Sequence, residues 1–195
     1  MRLVDLTTKP WQLMLPGEKE TSLNKMVYLP GTLDEFGVGH EDRLDNSCHP
    51  DETTAQSFDD DVIATRFTRK HTYEGPAYFE QEITIAPADK CRTFFEIERA
   101  RCVRVYLDGE EISSYEEQTI STPHVFELTG HEGIHRLRVE SDNSYPGLPH
   151  DAIVYSSAAT DETQTNWNGI LGECSMYTRP QNFIDSVRAY PRAVK

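Results

Sequence analysis

Most segments after Asp61 alternate apolar and polar side chains at every second position, a period that fits a half-buried strand and not an α-helix. In residues 77–85, Ala77, Phe79, Ile83 and Ile85 fall on one face, and Tyr78, Glu80, Glu82 and Thr84 on the other. Thr93, Phe95 and Ile97 repeat the pattern. Val103, Val105 and Leu107 then run into Asp108-Gly109, a dipeptide that accepts the positive φ of a tight hairpin. Phe126 and Leu128 follow, then Leu137 and Val139, then Ile153 and Tyr155. Such runs arrive about every 8–12 residues between Gly, Pro, Asn and Asp, and no segment offers the apolar stripe of an amphipathic helix. The expectation is an all-β protein: an antiparallel β-sandwich, a jelly roll whose two sheets bury their apolar faces against each other. With 195 residues the chain has room for one large domain or two small ones but not for a complete (β/α)₈ barrel, which needs ~250. Hydrophobic residues make up 37% of it, including nine Tyr and eight Phe, enough for a real core.

The formal net charge is −14. Phosphate backbones and anionic membrane surfaces are bound by Lys and Arg that displace counterions, so neither nucleic acid nor membrane is an expected partner. Residues 34–61 hold ten carboxylates, beginning with Asp34 and Glu35, against the single Arg43, and so carry −9 of the total. That stretch has few apolar residues and reads as a long solvated loop. Its acids lack the spacing and fixed Gly of an EF-hand.

No stretch approaches the ~20 apolar residues of a membrane helix, and residues 1–16 contain no signal-peptide core. Cys48, Cys91, Cys102 and Cys174 show no CxxC spacing or companion His pattern, so no metal or redox site is expected. There is no Asn-x-Ser/Thr sequon, and a cytoplasmic protein with reduced thiols is the expectation. The chain has no P-loop, G-x-G-x-x-G or G-x-S-x-G, so no cofactor and no serine nucleophile is expected either.

His131-Glu132-Gly133-Ile134-His135 is a literal H-E-x-x-H. On a helix its two His would share a face and bind zinc. Here Gly130 and Gly133 flank and interrupt it, and residues 136–141 continue as an alternating strand, so a turn is expected. Residues four apart on a strand would stand roughly 13 Å apart, too far to share one metal.

Residues 160–172 concentrate hydroxyl and amide side chains around Trp167. That mix suits a sugar, with an aromatic face for its C–H side and fixed polar groups for its hydroxyls. An ordinary polar loop whose Trp anchors the sandwich edge would have the same composition. Trp11 reads as core.

Several segments carry a resemblance: Leu29-Pro30-Gly31-Thr32-Leu33-Asp34-Glu35, Phe67-Thr68-Arg69-Lys70, Tyr73-Glu74-Gly75-Pro76-Ala77-Tyr78-Phe79, Ile97-Glu98-Arg99, Val105-Tyr106-Leu107-Asp108-Gly109 and Thr163-Gln164-Thr165-Asn166-Trp167-Asn168-Gly169-Ile170. In this order they resemble the N-terminal, galactose-binding-like jelly-roll domain of glycoside hydrolase family 2, which includes β-galactosidases and β-glucuronidases. The resemblance implies residues 1–180 as a sugar-binding domain, with the acidic loop inside 34–61, and residues 181–195, containing a strand at 182–190, as the start of a truncated immunoglobulin-like domain. It implies a retaining enzyme whose two catalytic Glu lie on an absent barrel, so that this chain alone is inactive and no residue in it is catalytic. Expected partners are a carbohydrate, in the first instance a β-galactoside, and the remaining domains of the same enzyme. Asn166, Trp167 and Asn168 become the first candidates for sugar contacts, with Gln164 and Asp161 next. Arg69, Tyr73, Glu98 and Arg99 also match family positions, where a buried Arg–Glu pair bracing the sandwich accounts for them as well. A free-standing carbohydrate-binding module or lectin is the alternative.

Overall fold

A computed structural model describes residues 3–16, 25–41, 70–112, 123–147, 149 and 166–192. Among these residues every regular element is a strand, and all named pairings are antiparallel. The long strands are β7 (Pro76–Ile85), β8 (Cys91–Ile97), β9 (Cys102–Leu107), β12 (Gly133–Asp142) and β14 (Cys174–Pro180). Shorter ones are β1 (Leu3–Asp5), β2 (Trp11–Met14), β3 (Lys25–Val27), β4 (Gly31–Thr32), β5 (His40–Glu41), β6 (His71–Thr72), β10 (Glu110–Glu111), β11 (His124–Glu127) and β13 (Gly169–Ile170).

Six strands form one sheet in the order β10-β9-β12-β7-β2-β3, and four form a second in the order β1-β14-β8-β11. The expected sandwich is therefore present. Its core is one cluster to which both sheets contribute: Trp11, Leu13, Phe79, Val105, Leu137 and Val139 from the first, and Phe95, Ile97, Phe126 and Met176 from the second. Phe79, Val105, Leu137, Val139, Phe95, Ile97 and Phe126 are the residues the alternation assigns to the inner face, and Leu13 and Met176 join them in the structure. Trp11 is fully buried, and its indole N–H donates to the Leu6 carbonyl at 3.0 Å, which satisfies the one polar atom the ring brings inside. Gln81, the polar member of the inward row of β7, donates through Nε2 to the carbonyls of Leu6, Lys9 and Pro10 and so ties the β1–β2 connection to the sheet. Between β9 and β10 the turn forms at Asp108-Gly109, both with positive φ (52° and 90°).

Three expectations need correction. Asp34 and Glu35 are built into the fold. The Asp34 carboxylate accepts the backbone N–H groups of Lys70 and His71 (3.0 and 2.8 Å). Glu35 accepts from the backbone N–H and hydroxyl of Thr32, whose hydroxyl in turn accepts the Glu35 N–H, a reciprocal cap on the turn over residues 32–37. Residues 182–190 form no strand. No neighbouring strand pairs with them among the described residues, and Ile184, Val187 and Tyr190 stand exposed. Instead Phe183 packs edge-on against Phe94, on the outer face of the four-stranded sheet. Together with Arg92 and Arg179, which lie over the same rings, it covers Phe94 and Tyr177 although both point away from the core. Finally, Glu98 and Arg99 are not a buried pair: Arg99 is exposed and Glu98 half-buried. Among the described residues, buried carboxylates do meet arginines at Glu80, which accepts from Arg138, and at Glu140, 3.9 Å from Arg104. Arg69, Ile153 and Tyr155 lie outside the described residues.

Candidate functional site

At one end of the sandwich, where β7 and β9 begin and β12 ends, segments far apart in sequence meet. β13 pairs with β4, setting Gly169 opposite Thr32 and Ile170 opposite Gly31. The Leu33 N–H donates to the Asn168 carbonyl at 2.9 Å. This approach requires glycine at 169: φ is +131°, and a Cβ there would lie 2.4 Å from the Gly31 carbonyl oxygen.

Asn143 is the hub. Its side chain is 1% exposed, and all its hydrogen-bonding capacity goes to neighbouring segments. Oδ1 accepts from the Gly75 N–H (2.9 Å) and from Asn168 Nδ2 (3.3 Å), while Nδ2 donates to the carbonyls of Tyr73 (2.8 Å) and Asn166 (2.9 Å). Asn166 answers by donating to the Asn143 carbonyl. Asn168 also donates to the Gly75 carbonyl at 2.7 Å and accepts the Gly169 N–H through Oδ1. Ser141 reaches the Gly169 carbonyl, and the Tyr73 hydroxyl the Pro76 carbonyl. The segments 31–35, 73–79 and 166–170 are thus held as one unit.

Trp167 is half-buried between these anchors, and Arg101 holds it. The guanidinium carbon of Arg101 lies 4.1 Å from the indole centroid, and Nε donates to the Trp167 carbonyl at 3.2 Å. A second ring, that of Tyr145, lies 5.8 Å from the same carbon. Arg101 is 3% exposed. Burial pulls its pKa below the usual arginine value, though guanidinium remains charged at any physiological pH. Burial likewise pushes the Tyr145 hydroxyl up, with Arg101 opposing. The Cys102 thiol is pushed up by burial and then by Asp142, which makes it a poor nucleophile.

Of the sequence-predicted site residues, the structure brings Asn166, Trp167 and Asn168 together. Asp161 and Gln164 lie outside the described residues. The two Asn side chains hydrogen-bond neighbouring segments, and the half-buried Trp167 ring lies against Arg101. Arg101 was not anticipated, yet a signal exists. It shares the parity of Val103, Val105 and Leu107, so the alternation alone places it on the inward row. The H-E-x-x-H motif lies on no helix: His131 sits at the turn after β11, and β12 starts only at Gly133. Because the first two residues precede the strand, the His rings are 6.4 Å apart, closer than a continuous strand would allow. The His135 Nδ1 is engaged with Asp108 Oδ2 at 2.7 Å. Among the described residues no group of three or more His, Cys, Asp or Glu gathers as a metal site, and no helix is long and apolar enough to cross a membrane.

No protein-family model matches the chain, and no curated protein does. Solved structures do. A family 2 β-galacturonidase from Eisenbergiella tayi bound to galacturonate aligns over 90% of this chain and 24% of its own, at 17% identity and a TM-score of 0.56. A β-D-glucuronidase of Dictyoglomus thermophilum aligns over 92% of this chain and 28% of its own (14% identity, TM-score 0.56). A β-glucuronidase of Faecalibacterium prausnitzii aligns over 92% and 31% (16% identity, TM-score 0.51). This likeness is one of fold, and the chain spans between about a quarter and a third of the length of these neighbours.

Proposed function

We propose that the chain is a non-catalytic sugar-binding domain of a family 2 glycoside hydrolase. It supports a catalytic barrel elsewhere in the same enzyme and lends residues 161–168 to the rim of its sugar subsite. The observation that carries this reading is the convergence of the family-like segments 31–35, 73–79 and 166–170 on one end of the sandwich, around a held and half-exposed Trp167. Trp167 stacks on the apolar side of a pyranose, and Asn166, Asn168, Gln164 and Asp161 supply or support the polar contacts. Asn168, whose amide is spent on Gly75, Asn143 and Gly169, contributes by fixing the loop. Cleavage itself belongs to two carboxylates of the barrel, one attacking the anomeric carbon and the other protonating the leaving oxygen. Residues 181–195 lead toward a following immunoglobulin-like domain.

The substrate is a β-galactoside or a β-hexuronide. The names of the structural neighbours, β-galacturonidase and β-glucuronidase, support the second. The test is activity on aryl β-glycosides of both kinds. The 195-residue chain is expected to be inactive, and a product of the same coding sequence extended through a barrel to cleave one of them. Turnover by the chain alone would refute the proposal. Saturable sugar binding with no barrel in the extended product would make the chain a free-standing carbohydrate-binding module instead.

A further inference from the structure

The held Trp167 raises the question of what sets the ring's orientation. Asn143 anchors the residues on either side of it, at the Asn166 carbonyl and the Asn168 side chain, but neither bond reaches the indole. Arg101 does. It meets the ring face at 4.1 Å and the carbonyl of the same residue at 3.2 Å, so one side chain fixes both the plane and the backbone of Trp167. A cation over an indole is held most strongly when both are out of water, and Arg101 is 3% exposed. Its own position is fixed in turn. Ala100 bridges to Ile170, and the Leu171 N–H donates to the Arg99 carbonyl at 3.0 Å, so the backbone on both sides of the site is bonded together next to the guanidinium.

We propose that Arg101 is the positioning residue of this site: stacked on Trp167 and backed by Tyr145, its guanidinium sets the indole plane offered to a sugar. The inference rests on the sugar-site reading above and deepens it. Arg101 touches no sugar. It covers one face of the ring, so the pyranose uses the face opposite. Lysine cannot replace it, because an ammonium has neither the flat surface to stack on the indole nor the Nε donor for the Trp167 carbonyl.

The chain contains two tryptophans, and they divide the test cleanly. Trp11 lies in the core with its own hydrogen bond and reports folding, whereas Trp167 reports the site. The full chain, labelled with ¹⁵N, is compared with Arg101→Met and Arg101→Lys by following the two indole N–H resonances, with methyl β-D-galactoside and methyl β-D-glucuronide as probes. In both variants the Trp167 resonance is expected to shift and broaden and its quenching by acrylamide to rise, while the Trp11 resonance stays in place. Affinity for whichever sugar binds falls by about tenfold. A Trp167 resonance and affinity at wild-type values in a folded variant would overturn the proposal, as would full rescue by lysine. If Arg101→Met does not fold, Arg101→Lys alone is read in the same way. If the wild-type chain responds to neither sugar, the sugar-site reading fails, and the role of Arg101 is judged on the indole resonances and quenching alone.

Discussion

Replacing Asn143 by Ala probes the point where the three site segments are joined. The substitution deletes four hydrogen bonds at a position 1% exposed and leaves the Gly75 N–H and the carbonyls of Tyr73 and Asn166 facing the gap. At about 1 kcal/mol net per bond the loss is ~4 kcal/mol. Stranded buried groups would add to that figure, but the space left by the amide admits water, which offsets part of it. The expected destabilisation is about 3–4 kcal/mol, at the upper end of what single substitutions produce. With a urea m-value of about 2 kcal/mol/M, the unfolding midpoint falls by roughly 1.5–2 M. Hydrogen exchange at the Gly75 amide should accelerate in parallel. Asn143→Asp sharpens the reasoning: a carboxylate still accepts from Gly75 and Asn168 but sets unshared lone pairs against the Tyr73 and Asn166 carbonyls. Its pKa is raised in the fold, so this variant becomes more stable as pH falls and less stable as it rises through that value. A loss below about 1 kcal/mol for Asn143→Ala, with Gly75 exchange unchanged, would refute the account of Asn143 as the hub.

Other consequences follow from the same structure. Gly169→Ala, which forces a Cβ to within 2.4 Å of the Gly31 oxygen at a φ of +131°, should cost several kcal/mol, measured by urea unfolding, and should displace the β4–β13 pair. Phe79→Ala, at a fully buried ring, should cost about 3–5 kcal/mol by the same measurement. The hydrogen bonds from Arg92, and then from Thr129, hold the Glu127 carboxyl down to about 2. Its contribution to stability is therefore present above the ordinary carboxylate range and lost as pH falls through about 2, and a ¹³C titration of Arg92→Met should show the midpoint return upward. Burial depresses the pKa of His124 below its ordinary 6.5, so the folded state gives up stability as pH drops below that value. His124→Phe should flatten that part of the stability-versus-pH curve.

The strands are legible because their inner faces are rows of mostly apolar residues: Phe79, Ile83 and Ile85, interrupted only by Gln81, Phe95 and Ile97, and Val103, Val105 and Leu107 are all buried as the alternation requires. Parity also placed Arg101 inward. Charge argues the other way, and the rings of Trp167 and Tyr145 and the Trp167 carbonyl, brought in from other segments, help make that burial tolerable. Phe94 and Tyr177 show the converse, outward residues buried because Phe183, Arg92 and Arg179 lie across them. Local patterning carries no trace of such long-range partners. Asp34 and Glu35 read as members of an acidic loop because their acceptors' partners, the backbone N–H groups of residues 70, 71 and 32, are invisible in composition. Asn143 stood in the sequence as one amide among many, and its four partners come from segments as distant as Tyr73 and Asn168.

The most direct test of the central claim is a chemical-shift titration of the ¹⁵N-labelled chain with methyl β-D-galactoside and methyl β-D-glucuronide. The account predicts saturable shifts for one of them, confined to the Trp167 indole and the amides of residues 73–75, 143–145 and 166–169, with Trp11 unmoved and the response abolished in Trp167→Ala. Shifts centred on another face of the sandwich, or no response to either sugar at millimolar concentration, would contradict it.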